Sequence, residues 1–167
     1  MEIIDELRNK KGFIAALDQS GGSSKRTLAN YGIGEELITS DEVMFDYIHK
    51  MRSRVITNEA FNDRILGVIL FENTMERDID GINTVKYLEN KGIPSFLKID
   101  VGLEDEDGGM QVLKEIPNLE KRLEKAKSYG IVGTKMRSVI KEYNEYGIKK
   151  VIEQQFSLAK IIIAHGL

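Results

Sequence analysis

Four short apolar runs, each carrying charged side chains at or near its end and each followed by a helix-period stretch, most constrain what this chain can fold into. They are Phe13–Asp18, Ile65–Glu72, Pro94–Val101 and Ile131–Arg137. Strands that alternate with helices predict a parallel α/β sheet with right-handed crossovers. The nearly unbroken apolar character of Ile65–Leu70 suits a strand covered on both faces. Charge repeated at the C-terminal ends of such strands is how a (β/α) barrel assembles a reactive centre.

The helices are marked by their ends. Residues 1–10 read as a short amphipathic helix with Ile3, Ile4 and Leu7 on one face. Ser40-Asp-Glu-Val is a cap with acids in the first turn, and Met44, Phe45, Ile48, Met51 and Val55 continue the apolar period. Thr84–Asn90 stops at Gly92, with Pro94 barring continuation. Leu119–Tyr129 is closed by Gly130, and Glu145–Ala164 runs to Gly166, while acidic Glu104–Gly109 reads as a solvated loop. The expected organisation is one domain over residues 1–167.

Composition narrows the function classes. A net charge of −3 with acids and bases mixed along the chain argues against a general nucleic-acid surface. No apolar run approaches the roughly 20 residues that span a bilayer, and Met-Glu-Ile-Ile-Asp-Glu-Leu is unlike a signal peptide. With no cysteine there are no disulfides and no thiolate metal sites. The cytoplasm is the expected compartment.

Several side chains suggest chemistry. Asp18 ends the first run, and Ser20, Gly21, Gly22 and Ser23 follow as a loop whose N–H groups and hydroxyls can hold a phosphate. The same residues also suit a plain turn or helix cap. Lys25 and Arg26 serve equally as phosphate ligands or as a solvated basic helix start. Lys98 and Asp100 share a strand face with Phe96, and a lysine in an apolar strand is costly without a partner or pocket. Lys135 and Arg137 repeat the spacing. Glu72 ends the second run, with Thr74 and Arg77 in the next loop. His49 lies among core positions of its helix, and His165 lies near a helix end. Two distant histidines make no transition-metal site. The Gly21-Gly22 pair fits neither common nucleotide-binding glycine pattern.

Taken in order, Lys11-Gly-Phe-Ile-Ala-Ala-Leu-Asp-Gln-Ser-Gly-Gly, Ile65-Leu-Gly-Val-Ile-Leu-Phe-Glu, Phe96-Leu-Lys-Ile-Asp, Gly133-Thr-Lys-Met-Arg-Ser and Gln154-Gln-Phe resemble the bacterial type of class I fructose-bisphosphate aldolase. The resemblance implies a TIM-barrel fold of which this chain supplies the first four βα units, a half barrel. It implies Schiff-base cleavage of fructose 1,6-bisphosphate in glycolysis, with no cofactor and no metal. Asp18 and Lys135 are the implied catalytic pair, Asp18 handling hydroxyl protons and Lys135 assisting proton transfer. Ser20, Ser23, Lys25 and Arg26 are implied for the distal phosphate, and Lys98 and Arg137 for the rest of the substrate. Glu72 and Asp100 are supporting carboxylates, and Gln19 carries no role.

By the same resemblance, the Schiff-base lysine lies on a sixth strand and a supporting glutamate on a fifth, both after Leu167. The chain alone is therefore expected to be inactive, and to need a C-terminal half or self-association to cover an open barrel. The alternative is a non-catalytic remnant or interaction module with residual sugar-phosphate binding. A deoxyribose-phosphate type of aldolase is disfavoured by Ala-Ala-Leu-Asp-Gln-Ser-Gly-Gly and Gly-Thr-Lys-Met-Arg.

Overall fold

The computed structural model describes residues 2–20 and 22–167; the expectation for Gly21 lies outside the described residues, as do those for the side chains of Ile3 and Ile4. Helix α1 (Glu2–Asn9) leads into strand β1 (Phe13–Leu17) and helix α2 (Gly22–Asn30). After a 3-10 turn at Glu35–Leu37 come α3 (Asp41–Thr57), β2 (Ile65–Leu70), α4 (Glu72–Met75), and the hairpin β3 (Asp78–Ile79) and β4 (Ile82–Asn83). Then follow α5 (Thr84–Asn90), β5 (Ser95–Lys98), β6 (Met110–Gln111), α6 (Leu119–Tyr129), β7 (Gly133–Lys135), β8 (Val139–Ile140) and α7 (Glu145–Ala164). The main sheet has the strand order β1-β2-β5-β7. The chain divides into two compact units, one ending at Leu97 and the other beginning at Lys98.

In the first unit, β2 pairs in parallel with both β1 and β5, in the registers Ala16↔Ile69 and Ile69↔Phe96. Val68, Leu70, Ser95 and Leu97 face the helices and are buried, whereas Ile69 and Phe96 on the other face are only half-buried. Gly67 lies on that second face, where an added Cβ would sit 2.7 Å from the Phe96 ring. Glycine here lets the ring lie across β2. Because the ring edge can move, Gly67→Ala is expected to cost about 1 kcal/mol, read as a lowered urea midpoint.

Ser40 caps α3 by accepting from the Val43 N–H at 3.2 Å. The buried stripe of α3 is Met44, Ile48, Arg52 and Ile56, and Met44 and Ile48 join Leu28 of α2 in a core cluster. Beside the outer face of β1 lies an apolar groove of about 810 Å³, lined by Phe13, Leu17, Tyr31, Met51, Val55 and Phe61 among others. Phe13 is 58% exposed and Ile14 46%, so both faces of this edge strand are open.

In the second unit, Leu123 and Ala126 form the buried face of α6, and Gly130 ends it with φ 92°. The Ile99 N–H donates to the Lys135 carbonyl at 3.0 Å. Asn144 caps α7. The Gln154 side chain exchanges two 2.8 Å hydrogen bonds with the backbone of Leu113, donating to its carbonyl and accepting from its N–H. That exchange explains an amide on the inner side of a long helix, and Gln155 donates to Ser138 Oγ at 2.8 Å.

Four boundaries differ from the sequence reading. The first apolar run is strand only to Leu17, with Asp18 just beyond its end. The second stops as a strand at Leu70, and Glu72 opens the short helix α4, which also holds Thr74, rather than closing the strand. The third is strand only over Ser95–Lys98, and the fourth only over Gly133–Lys135, which leaves Asp100 and Arg137 just beyond their strands. The reason is pairing: a charged tip that leaves the ladder keeps its side chain but loses strand hydrogen bonds.

Candidate active site

Each unit carries a polar cluster built where strands end. In the second unit, β5 presents Lys98, and Asp100 follows two residues on. The Asp100 side chain is 3% exposed. Lys98 Nζ lies 3.8 Å from its Oδ1, and Lys135 Nζ, at the end of β7, lies 3.9 Å from its Oδ2. One buried carboxylate thus sits between two lysines, at ion-pair rather than hydrogen-bond distances. The Arg122 side chain, on α6, donates to the Ile99 carbonyl at 2.9 Å and so fixes the segment between Lys98 and Asp100. Two ammonium groups held around one carboxylate are suited to an anionic substrate that also needs protons moved. Arg137 is exposed past the end of β7.

In the first unit, Asp18 and Ser20 are half-buried just after β1. Ser23 Oγ donates to the Ser20 carbonyl at 3.1 Å, folding the loop back on itself. Ser23, Lys25 and Arg26 are exposed on α2. Glu72 is half-buried at the start of α4, and Arg77 pairs with Asp46 of α3.

One participant escaped the sequence reading. Arg52 of α3 is fully buried. It donates from one guanidinium nitrogen to Thr74 Oγ1 and from the other to the Gln19 carbonyl, both at 2.6 Å. Burial pushes its pKa down to about 10, against the charge of Asp18, which raises it. The signal was a spacing of four: Met44, Ile48, Arg52 and Ile56 fall on one stripe, and the charge at 52 led the apolar reading to step over it.

The histidines stand apart from both clusters. His49 Nε2 lies 2.8 Å from the Asp78 carbonyl, and His165 Nδ1 lies 2.8 Å from the Ile161 carbonyl at the end of α7. Among the described residues no group of three His, Asp or Glu side chains is placed to hold a metal ion, and no helix is long and apolar enough to cross a membrane.

Parallel strands that present lysines and carboxylates at their C-terminal ends define a barrel-type α/β protein. The solved structure of fructose-bisphosphate aldolase from Plasmodium falciparum, in ternary complex with TRAP and a small-molecule inhibitor, has the same fold. It superposes with a TM-score of 0.77 at 21% identity, over 99% of this chain and 50% of that one. The chain therefore spans about half the length of that relative. A sequence-family model for glycolytic fructose-bisphosphate aldolase class-I matches residues 3–162. The chain belongs to the class I fructose-bisphosphate aldolase family.

Proposed function

We propose that these 167 residues carry the N-terminal half of a Schiff-base fructose-bisphosphate aldolase site, acting in cytoplasmic glycolysis. The observation that supports it best is the buried Asp100 held between Lys98 and Lys135. In the reaction, a lysine amine adds to the ketone of fructose 1,6-bisphosphate and water leaves, giving an iminium that accepts electrons. Asp18 takes the C4 hydroxyl proton as the C3–C4 bond breaks and glyceraldehyde 3-phosphate departs. The enamine left behind is protonated with help from Lys135, and water then releases dihydroxyacetone phosphate. Lys98 and Arg137 hold the substrate near the reacting carbons. Ser20, Ser23, Lys25 and Arg26 take the distal phosphate, while Glu72 and Asp100 support the lysines.

In this proposal the Schiff-base lysine belongs to a sixth strand that these residues do not contain, so the chain binds substrate without turning it over. Borohydride trapping with fructose 1,6-bisphosphate tests it. The expected result is micromolar-to-millimolar binding by calorimetry with no covalent adduct in the intact mass. An adduct mapped to Lys98 or Lys135 would show that the chain carries its own nucleophile. Absence of binding as well would leave a non-catalytic remnant.

The open edge and groove at β1 are covered, in the same proposal, by the complementary half of the barrel. An edge strand with exposed Phe13 and Ile14 is a pairing liability until something lies against it. Sedimentation of the chain, alone and mixed with a C-terminal half, distinguishes that partner from a second copy.

A further inference from the structure

We propose that Arg52 is the positioning residue for Asp18, an inference that rests on Asp18 being the proton-handling carboxylate of the proposed site. An arginine occupies the buried stripe of α3 where Met44, Ile48 and Ile56 fill the other positions. Burying a guanidinium is costly unless its donors and charge are met. Here the two terminal nitrogens are met by groups in and around the Asp18 segment, while Nε is buried without a hydrogen-bond partner among the described residues. One nitrogen donates to the carbonyl of Gln19, the residue directly after Asp18. A second donates to Thr74 in α4, the helix that follows β2. The Asp18 carboxylate supplies the opposing charge that favours the ionised guanidinium.

One rigid fork therefore ties the backbone leaving β1 to the first helix after β2, its neighbouring strand. It does so while placing a positive charge within electrostatic reach of the Asp18 carboxylate. Both effects need arginine: a lysine at 52 keeps the charge but not the two-pronged geometry, and a glutamine keeps donors but not the charge. A residue there for packing alone would need neither. The hydrogen bond to the Gln19 carbonyl holds the Gln19–Ser20 peptide in place one residue beyond Asp18, and so restrains the backbone from which the Asp18 side chain leaves the strand. Arg52 itself reaches no substrate in this assignment; it acts through Asp18.

The test is a double-mutant cycle on the full 167-residue chain, combining Arg52→Lys or Arg52→Gln with Asp18→Asn. Unfolding in urea is the readout that needs no ligand. Arg52→Gln is expected to lower the folding equilibrium constant about tenfold more in the native Asp18 background than in the Asp18→Asn background, whereas Arg52→Lys keeps most of the coupling. The second readout is calorimetric binding of fructose 1,6-bisphosphate. There Arg52→Gln is expected to weaken affinity severalfold only in the native Asp18 background, with Arg52→Lys partly restoring it.

Additive effects in both readouts, within about twofold, would reduce Arg52 to a structural staple and overturn the proposal. If the unaltered chain does not bind fructose 1,6-bisphosphate while the unfolding cycle still shows coupling, the site reading fails and the Arg52–Asp18 pairing stands. If Arg52→Gln does not fold, the Arg52→Lys arm decides. In that arm a loss of affinity for fructose 1,6-bisphosphate that disappears in the Asp18→Asn background supports the proposal, and an equal loss in both backgrounds overturns it.

Discussion

Asp100→Asn is expected to lower the unfolding free energy by about 2–3 kcal/mol and, at low salt, to tighten the binding of a sugar bisphosphate severalfold. The two effects have one origin. The carboxylate is nearly inaccessible and lies within 4 Å of two ammonium groups, whose side chains are 16% and 31% exposed. Removing one partner of a buried ion pair costs about 3–5 kcal/mol. The distances of 3.8 and 3.9 Å, and the water reaching Lys135, place this triad below that range. Asparagine keeps the shape and removes the negative charge between the two ammonium groups, which then favour an anion more strongly. Raising the salt to about 0.5 M should erase most of the affinity gain and little of the stability loss. Parallel weakening of binding would instead mean that Asp100 is needed to aim the lysines.

Gly12→Ala is expected to cost about 3 kcal/mol, more than a typical surface substitution. Gly12 precedes β1, where the Phe13 N–H donates to the Arg64 carbonyl at 3.0 Å. An added Cβ would lie 2.3 Å from that same carbonyl and 2.8 Å from Leu66 Cγ. A side-chain tip can turn away, but a backbone carbonyl engaged in a hydrogen bond cannot, so the two chain segments must separate and the bond is lost. Urea unfolding should show a lowered midpoint with an unchanged slope. Amide exchange should quicken first at Phe13 and Ile14, where the register between β1 and β2 is already irregular.

Helix ends were the most legible part of the sequence. Ser40, Gly92 and Gly130 predicted the limits of α3, α5 and α6 because each satisfies a backbone need that other residues meet poorly. Strand ends were less legible. Periodicity reports which residues are apolar, not where the ladder of hydrogen bonds stops, so Glu72 read as strand when it opens α4. The two-residue ladders β3–β4 and β6–β8 were invisible for the same reason, being too short for a period. Of the candidate site, the Lys98, Asp100 and Lys135 cluster was readable as charge out of place in apolar runs. Arg52 was not, because its function lies in donors spent on Gln19 and Thr74, which are distant in sequence and close only after folding.

The bare edge of β1 also governs how the chain behaves in bulk. In the proposed pairing, the partner that covers Phe13 and the groove beside it binds the folded form and not the unfolded one. Each tenfold rise of that partner above its dissociation constant then adds about 1.4 kcal/mol to the stability of the fold. Under that pairing, a melting temperature for this chain is a property of its concentration and company as much as of its sequence. A dilution series should move that temperature while leaving that of a self-contained domain in place.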